Sequence, residues 1–339
     1  MKHLFLSFFH WFASSRSELQ ILLGLVGAAF MLALPVPGGA QENLQIVDTH
    51  VHFWDLQRPK GIYWISKDDQ VLYRSLLPAV HEPIAKANHV RGVIVVQAGQ
   101  SLPDNQWNLD ITAHNKQLYR GVVGNLSEVI GTDKFKPLFK QLCKDKRYVG
   151  YRLSGKYQEN LSEEFFRDLE LTANSGKTVD FLIGGYTLEE VKVIAQRVPK
   201  LKIILDHFGN VKLDDQALNL NWVKQFRAVA KFKNVYCKVS ALYGRAKQQP
   251  APRDLGFYRP VLDLAVECFG EDRIVFGSDW PVTRTTGDYA SIVELTREYF
   301  DSRGPRMSEK LFYRNALRFY GIESSSNSSD LDSQRQIKE

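Results

Sequence analysis

The chain has 339 residues, with 44 Lys and Arg against 38 Asp and Glu, and 3 Cys. Its 44% hydrophobic and 12% aromatic content excludes a disordered chain, and so few cysteines over this length exclude a disulfide scaffold. The net charge of +6 is too dilute for a nucleic-acid surface, since only Lys144-Asp145-Lys146-Arg147 makes a short basic cluster.

Residues 1–40 read as a targeting segment. Leu19 to Gln41 carries no charge, Ile21 to Leu34 is almost wholly apolar, and Lys2 and Arg16 precede it. Gly38-Gly39-Ala40 supplies the small residues of a cleavage site. This predicts a signal peptide and an exported protein, periplasmic or extracellular. The alternative is an uncleaved membrane anchor, for which the uncharged stretch is just long enough, although Pro35, Pro37 and Gly38-Gly39 break it early.

Eight short runs rich in Val and Ile follow. They are Gln45–Phe53, Gly92–Ala98, Gly121–Leu126, Tyr148–Leu153, Thr178–Ile183, Lys202–His207, Val235–Ala241 and Arg273–Asp279. Most are continuous rather than alternating, as in strands buried on both faces. Helical patterns lie between many of them. Thr187 and Glu190 form a capping box, and 162–176 opens on Ser and stops on Gly. Further helices are predicted at Trp222–Phe232, Tyr258–Phe269, Tyr289–Phe300 and Ser308–Tyr320, the last stopped by Gly321. Strands alternating with helices predict an α/β fold, a single-domain (β/α)8 TIM barrel over residues 41–322. An open doubly wound sheet would carry a Gly-rich phosphate loop after its first strand, and none is present. Residues 323–339 are polar and Ser-rich and read as a disordered tail.

A barrel places its active site at the C-terminal ends of the strands. The polar residues that end these apolar runs are therefore the candidates. The first run carries Asp48, His50 and His52, which strand periodicity puts on one face. Two inward imidazoles there suit one divalent ion or one substrate oxygen. The sixth run ends in Asp206-His207 and the eighth in Asp279. A buried carboxylate needs a cation or a donor, and Asp279 fits a metal ligand and the base that deprotonates water. Gln97 and Arg152 end the second and fourth runs. An inward Arg suits a carboxylate or an oxygen-rich ligand, or else a salt bridge to a barrel acid such as Asp180. Lys238 and Ser240 lie on the seventh run with no role assigned. Trp54, Tyr63, Trp64, Trp107 and Trp280 fall near loops, where they would wall a pocket if they are not core.

Asp48-Thr-His50-Val-His52-Phe-Trp54-Asp55, Leu205-Asp-His207-Phe-Gly209, Tyr236-Cys-Lys-Val-Ser240, Phe276-Gly-Ser-Asp279-Trp-Pro281 and Asn315-Ala-Leu-Arg-Phe-Tyr320 resemble the amidohydrolase superfamily. Within it, the chain is similar to the amidohydrolase-related branch that includes sugar-acid and dicarboxylate lactonases. The likeness runs from about Gln45 to Ile322. It implies a catalytic centre of His50, His52, His207 and Asp279. Arg152 stands where binuclear members bridge two metals with Lys or Glu, and the fifth run, 179–184, ends without a His. The resemblance therefore implies at most one divalent ion, zinc or similar, on those four residues, or catalysis without metal. Ser154 replaces a His common in the branch, which implies a shifted substrate preference.

The function expected is hydrolysis of a lactone or similar ester of a sugar acid or small carboxylic acid. Asp279 would activate water, the histidines would polarise the carbonyl, and Arg152 and Gln97 would bind the substrate. The partner expected is thus a small anionic or hydroxyl-rich molecule. The alternatives are a zinc-dependent non-oxidative decarboxylase and a non-catalytic exported binding protein.

Overall fold

A computed structural model of the chain describes residues 44–59, 62–99, 101–154, 161–215 and 217–323. The expected targeting segment, and all of the expected tail beyond Glu323, lie outside the described residues.

Eight strands form one parallel sheet in sequential order: β1 Ile46–Val51, β2 Val90–Val96, β3 Tyr119–Asn125, β4 Tyr148–Leu153, β5 Thr178–Phe181, β6 Lys202–Leu205, β7 Val235–Ser240 and β8 Ile274–Gly277. The barrel closes just past β8. There the Asp279 amide donates to the His50 carbonyl at 2.9 Å, and the His52 amide donates to the Trp280 carbonyl at 2.8 Å. Val47, Ile94, Val96, Val123, Val149, Ile204 and Val275 fill the interior together with Phe319 and Tyr320 from the closing helix. Each such aliphatic is worth roughly 1.5–3 kcal/mol on burial, which explains the continuous Val and Ile runs.

Helices follow the strands. Ser162 caps the helix Glu163–Asn174, and Thr187 with Glu190 makes the expected capping box on Leu188–Arg197. The three earliest helices, Pro78–Ala87, Pro103–Ile111 and Phe135–Leu142, were not among the segments singled out from the sequence. Two of them begin on Pro at the first turn, where the missing amide costs nothing, and their apolar stripes are short. The closing segment runs Pro305–Glu309, then a wider π turn at Lys310–Arg314, then Asn315–Tyr320. It stops at Gly321 with φ +65°, as its sequence predicted.

β6 and β8 are among the strands that end sooner than their apolar runs. β6 stops at Leu205 and β8 at Gly277 because the chain then turns left-handed, with φ +52° at His207 and +61° at Asp279. Such conformations cost a non-glycine residue of order 1–3 kcal/mol and persist where surrounding structure enforces them.

The expectation that Asp48, His50 and His52 share one face is corrected. The pairing of β1 with β2 is irregular between Asp48 and Val51. Asp48 instead faces the helix Tyr289–Asp301, where the Tyr289 hydroxyl donates to its Oδ2 at 2.7 Å. Its Oδ1 accepts from the amides of His50 and Ser278 at 3.0 and 2.9 Å. Asp48 is therefore a clasp between β1 and the segment after β8.

Candidate active site

His50 and His52 come from the end of β1, and Asp279 from the left-handed residue after β8. The two Nε2 atoms lie 3.1 Å apart. Asp279 Oδ1 is 3.6 Å from His50 Nε2 and 3.4 Å from His52 Nε2. All three side chains are buried, and one ligand atom from each falls within 4.8 Å of the others. Two imidazoles and one carboxylate in this convergence are the donor set of a single divalent ion with positions left open. The His52 Nδ1 atom, 2.6 Å from the Val96 carbonyl, must carry the proton, so its Nε2 offers a lone pair to the centre.

Gly277 makes this approach feasible. A Cβ there would lie 2.7 Å from the His50 Cβ and 3.2 Å from the Ser240 Cβ.

His207 stands slightly back, with Nε2 4.0 Å from Asp279 Oδ1. Its Nδ1 is 2.8 Å from Ser240 Oγ, which gives Ser240 a role that its sequence position left open. Residues His207, Phe208, Gly209 and Asn210 are all left-handed, with φ between +52° and +67°. Only Gly209 adopts this freely. The turn is held by Asn210, whose side chain donates to the Ile183 carbonyl at 2.7 Å and accepts from Arg245. The sequence expectation brought four residues together. His50, His52 and Asp279 form the tight group, and His207 flanks it.

Beneath the histidines lies a wholly buried charge network from three strands. Lys238 of β7 contacts Asp180 Oδ2 of β5 at 2.7 Å and Asp206 Oδ1, just past β6, at 3.0 Å. The Tyr320 hydroxyl donates to Asp180 at 3.2 Å from the far end of the barrel. Burial alone would lower Lys238, but the two carboxylates outweigh it and raise its pKa well above the ordinary value. Burial raises Asp180, to about 6, despite Lys238. Asp206 is lowered, because burial is outweighed by Lys238, His207 and Arg152. Burial also holds His50 and His207 well below the usual imidazole range, with the Lys238 charge adding to the effect at His50. Both rings are thus neutral at neutral pH.

Arg152 does not bridge to Asp180, the partner considered from sequence; Lys238 pairs with Asp180 Oδ2. Arg152 Nη2 donates instead to the Gln97 carbonyl at 2.6 Å. Gln97 is tied down by its Nε2 bonds to the Gly99 and Ser101 carbonyls. Arg152 Nε and Gln97 Oε1 are buried without a partner among the described residues. Arg245, on the short turn Leu242–Arg245 after β7, was missed in the sequence. Its Nε is likewise buried and unpaired. Burial lowers its pKa, and the charge of Asp279 acts in the opposite direction, so the guanidinium senses that carboxylate. Of the aromatics, Trp54 and Trp107 line a cleft with Gln97 and Arg58, and Arg58 stacks 4.2 Å over the Trp107 ring. Trp280 is core, packed on Phe53 and His81.

Comparisons with known proteins bear on the family and the fold. A family model described as amidohydrolase matches residues 47–322. The chain is 27% identical over 287 residues to an L-fucono-1,5-lactonase of Burkholderia ambifaria, covering 82% of this chain and 96% of that one. It is 22% identical to an L-rhamnono-gamma-lactonase of Scheffersomyces stipitis, covering 78% and 85%. Among solved structures, an amidohydrolase of Burkholderia multivorans with bound zinc superposes with a TM-score of 0.72 at 24% identity, covering 82% of this chain and all of that one.

Proposed function

The chain belongs to the amidohydrolase family, and on that premise we propose that it hydrolyses the lactone of a sugar acid. The observation that carries this reading is the convergence of Asp279 Oδ1 with the Nε2 atoms of His50, His52 and His207, at 3.6, 3.4 and 4.0 Å, at the mouth of the barrel. Similarity over most of the chain to lactonases of two sugar acids supports the substrate class.

Asp279 takes a proton from water as its oxygen attacks the lactone carbonyl. A protonated Nε2 on His50 or His207 stabilises the charge that develops on the carbonyl oxygen, whereas the Nε2 of His52 shows a lone pair and serves as an acceptor or metal ligand. The tetrahedral species collapses with cleavage of the ring C–O bond. Asp279 returns the proton to the departing alkoxide, and the free hydroxy acid leaves. The donor set of His50, His52 and Asp279 fits one divalent ion of the zinc type, with His207 close enough to join it. Such an ion supplies Lewis acidity toward the carbonyl and a lowered pKa for a coordinated water. Arg152 Nε, Arg245 Nε and Gln97 Oε1 are buried polar atoms left for the hydroxyls and carbonyl of the substrate. The dense neutral and cationic donors around one carboxylate base favour oxyanion chemistry over loss of carbon dioxide.

A panel of sugar-acid lactones, followed by acid release in weakly buffered solution, tests the reading. Ring opening of at least one member supports it. Carbon dioxide release from aromatic hydroxy acids, with every lactone left intact, refutes it.

A further inference from the structure

Phe53 and Trp54 directly follow His52 in the chain, and Gln97 directly follows Val96, whose carbonyl lies 2.6 Å from the His52 ring nitrogen. These three residues line a cleft beside the reaction centre, together with Asp104, Trp107 and Asn108 of the helix Pro103–Ile111. Its space is about 270 Å³ with the open mouth included. Pockets for whole small ligands run from about 300 to 1,000 Å³, so the cleft suits a short arm of a substrate rather than a complete sugar.

Two of the lining residues carry a buried amide oxygen without a partner among the described residues, Gln97 Oε1 and Asn108 Oδ1. Their neighbours fix which end of each amide is which. Gln97 Nε2 donates to the Gly99 and Ser101 carbonyls at 3.1 and 2.8 Å, and Asn108 Nδ2 donates to the Asp104 carbonyl at 2.9 Å. Carbonyls only accept, so a flipped amide would lose these bonds, and both side chains are left showing an acceptor. A buried acceptor without a donor costs about 1–3 kcal/mol, and a ligand hydroxyl that reaches it relieves that penalty.

The charges in the cleft favour a neutral donor. Its lining holds two carboxylates, Asp55 and Asp104, against one guanidinium, Arg58. Arg58 pairs with Asp104 Oδ1 and stacks over the Trp107 ring. The Trp54 Nε1–H is committed to the Leu72 and Arg74 carbonyls, so that indole offers the cleft no donor. A carboxylate arm would meet lone pairs and an excess of negative charge. A methyl arm would leave the amide oxygens unpaired.

We propose that this cleft is a specificity subsite for a hydroxymethyl arm of the substrate, with Asn108 Oδ1 accepting from the hydroxyl of the arm and Gln97 Oε1 from the neighbouring ring hydroxyl. The inference rests on the lactone-opening reaction proposed above and narrows its substrate class. In a 1,5-lactone the arm is carried by the carbon bonded to the leaving ring oxygen, so a cleft for it must adjoin the reaction centre, as this one does. A site built to pair a substrate hydroxyl discriminates against the analogue that lacks it, because its own buried polar group is then left unpaired.

The test uses two pairs of 1,5-lactones, those of L-galactonic against L-fuconic acid and of L-mannonic against L-rhamnonic acid. Within each pair the compounds differ only in a hydroxymethyl against a methyl arm. For each configuration that is opened, the wild type is expected to favour the hydroxymethyl lactone by about tenfold or more in kcat/KM, and a preference below about threefold overturns the proposal. Asn108→Leu is expected to bring the ratio below about threefold. A merely structural role for Asn108 lowers both rates alike and leaves the ratio as in the wild type, which also overturns the proposal. If the variant fails to fold, the wild-type ratio decides. If no lactone is opened, the reaction proposed above fails, and calorimetric titration with the corresponding 1,5-lactams, which do not open, reads the subsite alone. Tighter binding of the hydroxymethyl lactam then supports it, and equal affinity or no binding overturns it.

Discussion

The Nε2 atoms of His50 and His52 face one another at 3.1 Å, with the carboxylate of Asp279 within 3.6 Å of both. Such a pair needs a proton or a cation between its nitrogens. Because His50, His52 and Asp279 form the donor set of one divalent ion, purified protein is expected to hold about one per chain, and His52→Ala to lose it, since it removes one of the two tightly placed imidazoles. Metal analysis of the two proteins after identical dialysis checks this. Equal content in both would show that the ion sits elsewhere.

Gly277 is the reason that pair can form. In Gly277→Ala the new Cβ would meet the His50 Cβ at 2.7 Å and the Ser240 Cβ at 3.2 Å, so the two histidine supports are pushed at once. Overpacking of this kind costs about 1–3 kcal/mol. The variant is expected to melt lower and to lose activity out of proportion to its loss of folded protein. Thermal melting beside turnover at a temperature where both proteins are folded measures the two effects separately.

Arg152 and Arg245 each have a buried Nε without a hydrogen-bond partner among the described residues, and the proposed substrate would supply one. A charge-assisted hydrogen bond of this type is worth about 1.5–3 kcal/mol, or roughly a ten- to hundredfold change in binding. Arg152→Met and Arg245→Met are expected to raise KM by about that factor, with smaller effects on kcat. A large fall in kcat at unchanged KM would assign them to the chemical step instead.

Much of the centre was legible because a polar residue closing an apolar strand is costly, and therefore conspicuous. His50, His52, His207, Asp279, Gln97 and Arg152 all stood out in this way. What stayed hidden depends on distances between strands. Nothing in the sequence of β7 says that Lys238 meets Asp180 and Asp206 from two other strands. Arg245 lies in a short turn that follows a left-handed Ala241 and carries no sequence periodicity, so its electrostatic link to Asp279 had no signal in the sequence. Asp48 was misplaced because periodicity assumes an unbroken ladder, and β1 is irregular after it. The fold was read more completely than the site, since alternating buried runs report the barrel directly.

His81 offers a pH dependence separable from catalysis. It is buried among Phe53, Tyr119, Trp280 and Tyr289, and burial lowers its pKa from 6.5 to about 3. Between those values the unfolded chain binds a proton that the folded one refuses. The stability linked to His81 is thus present above about pH 6.5 and lost as pH falls toward 3. His81→Leu is expected to flatten the acid limb of a stability-against-pH curve by about one proton, or about 1.4 kcal/mol per pH unit. Denaturant unfolding at several pH values, with unchanged slope in the variant as the opposing result, checks it.

The central claim is that Asp279 is the base of a lactone-opening centre. Its most direct measurement is the rate of sugar-acid lactone hydrolysis by wild type and by Asp279→Asn, with folding of both verified by circular dichroism. The expected result is a loss of roughly a hundred- to ten-thousandfold in kcat in a folded variant, the range for removing a general base. Hydrolysis by the variant at the wild-type rate would contradict the account.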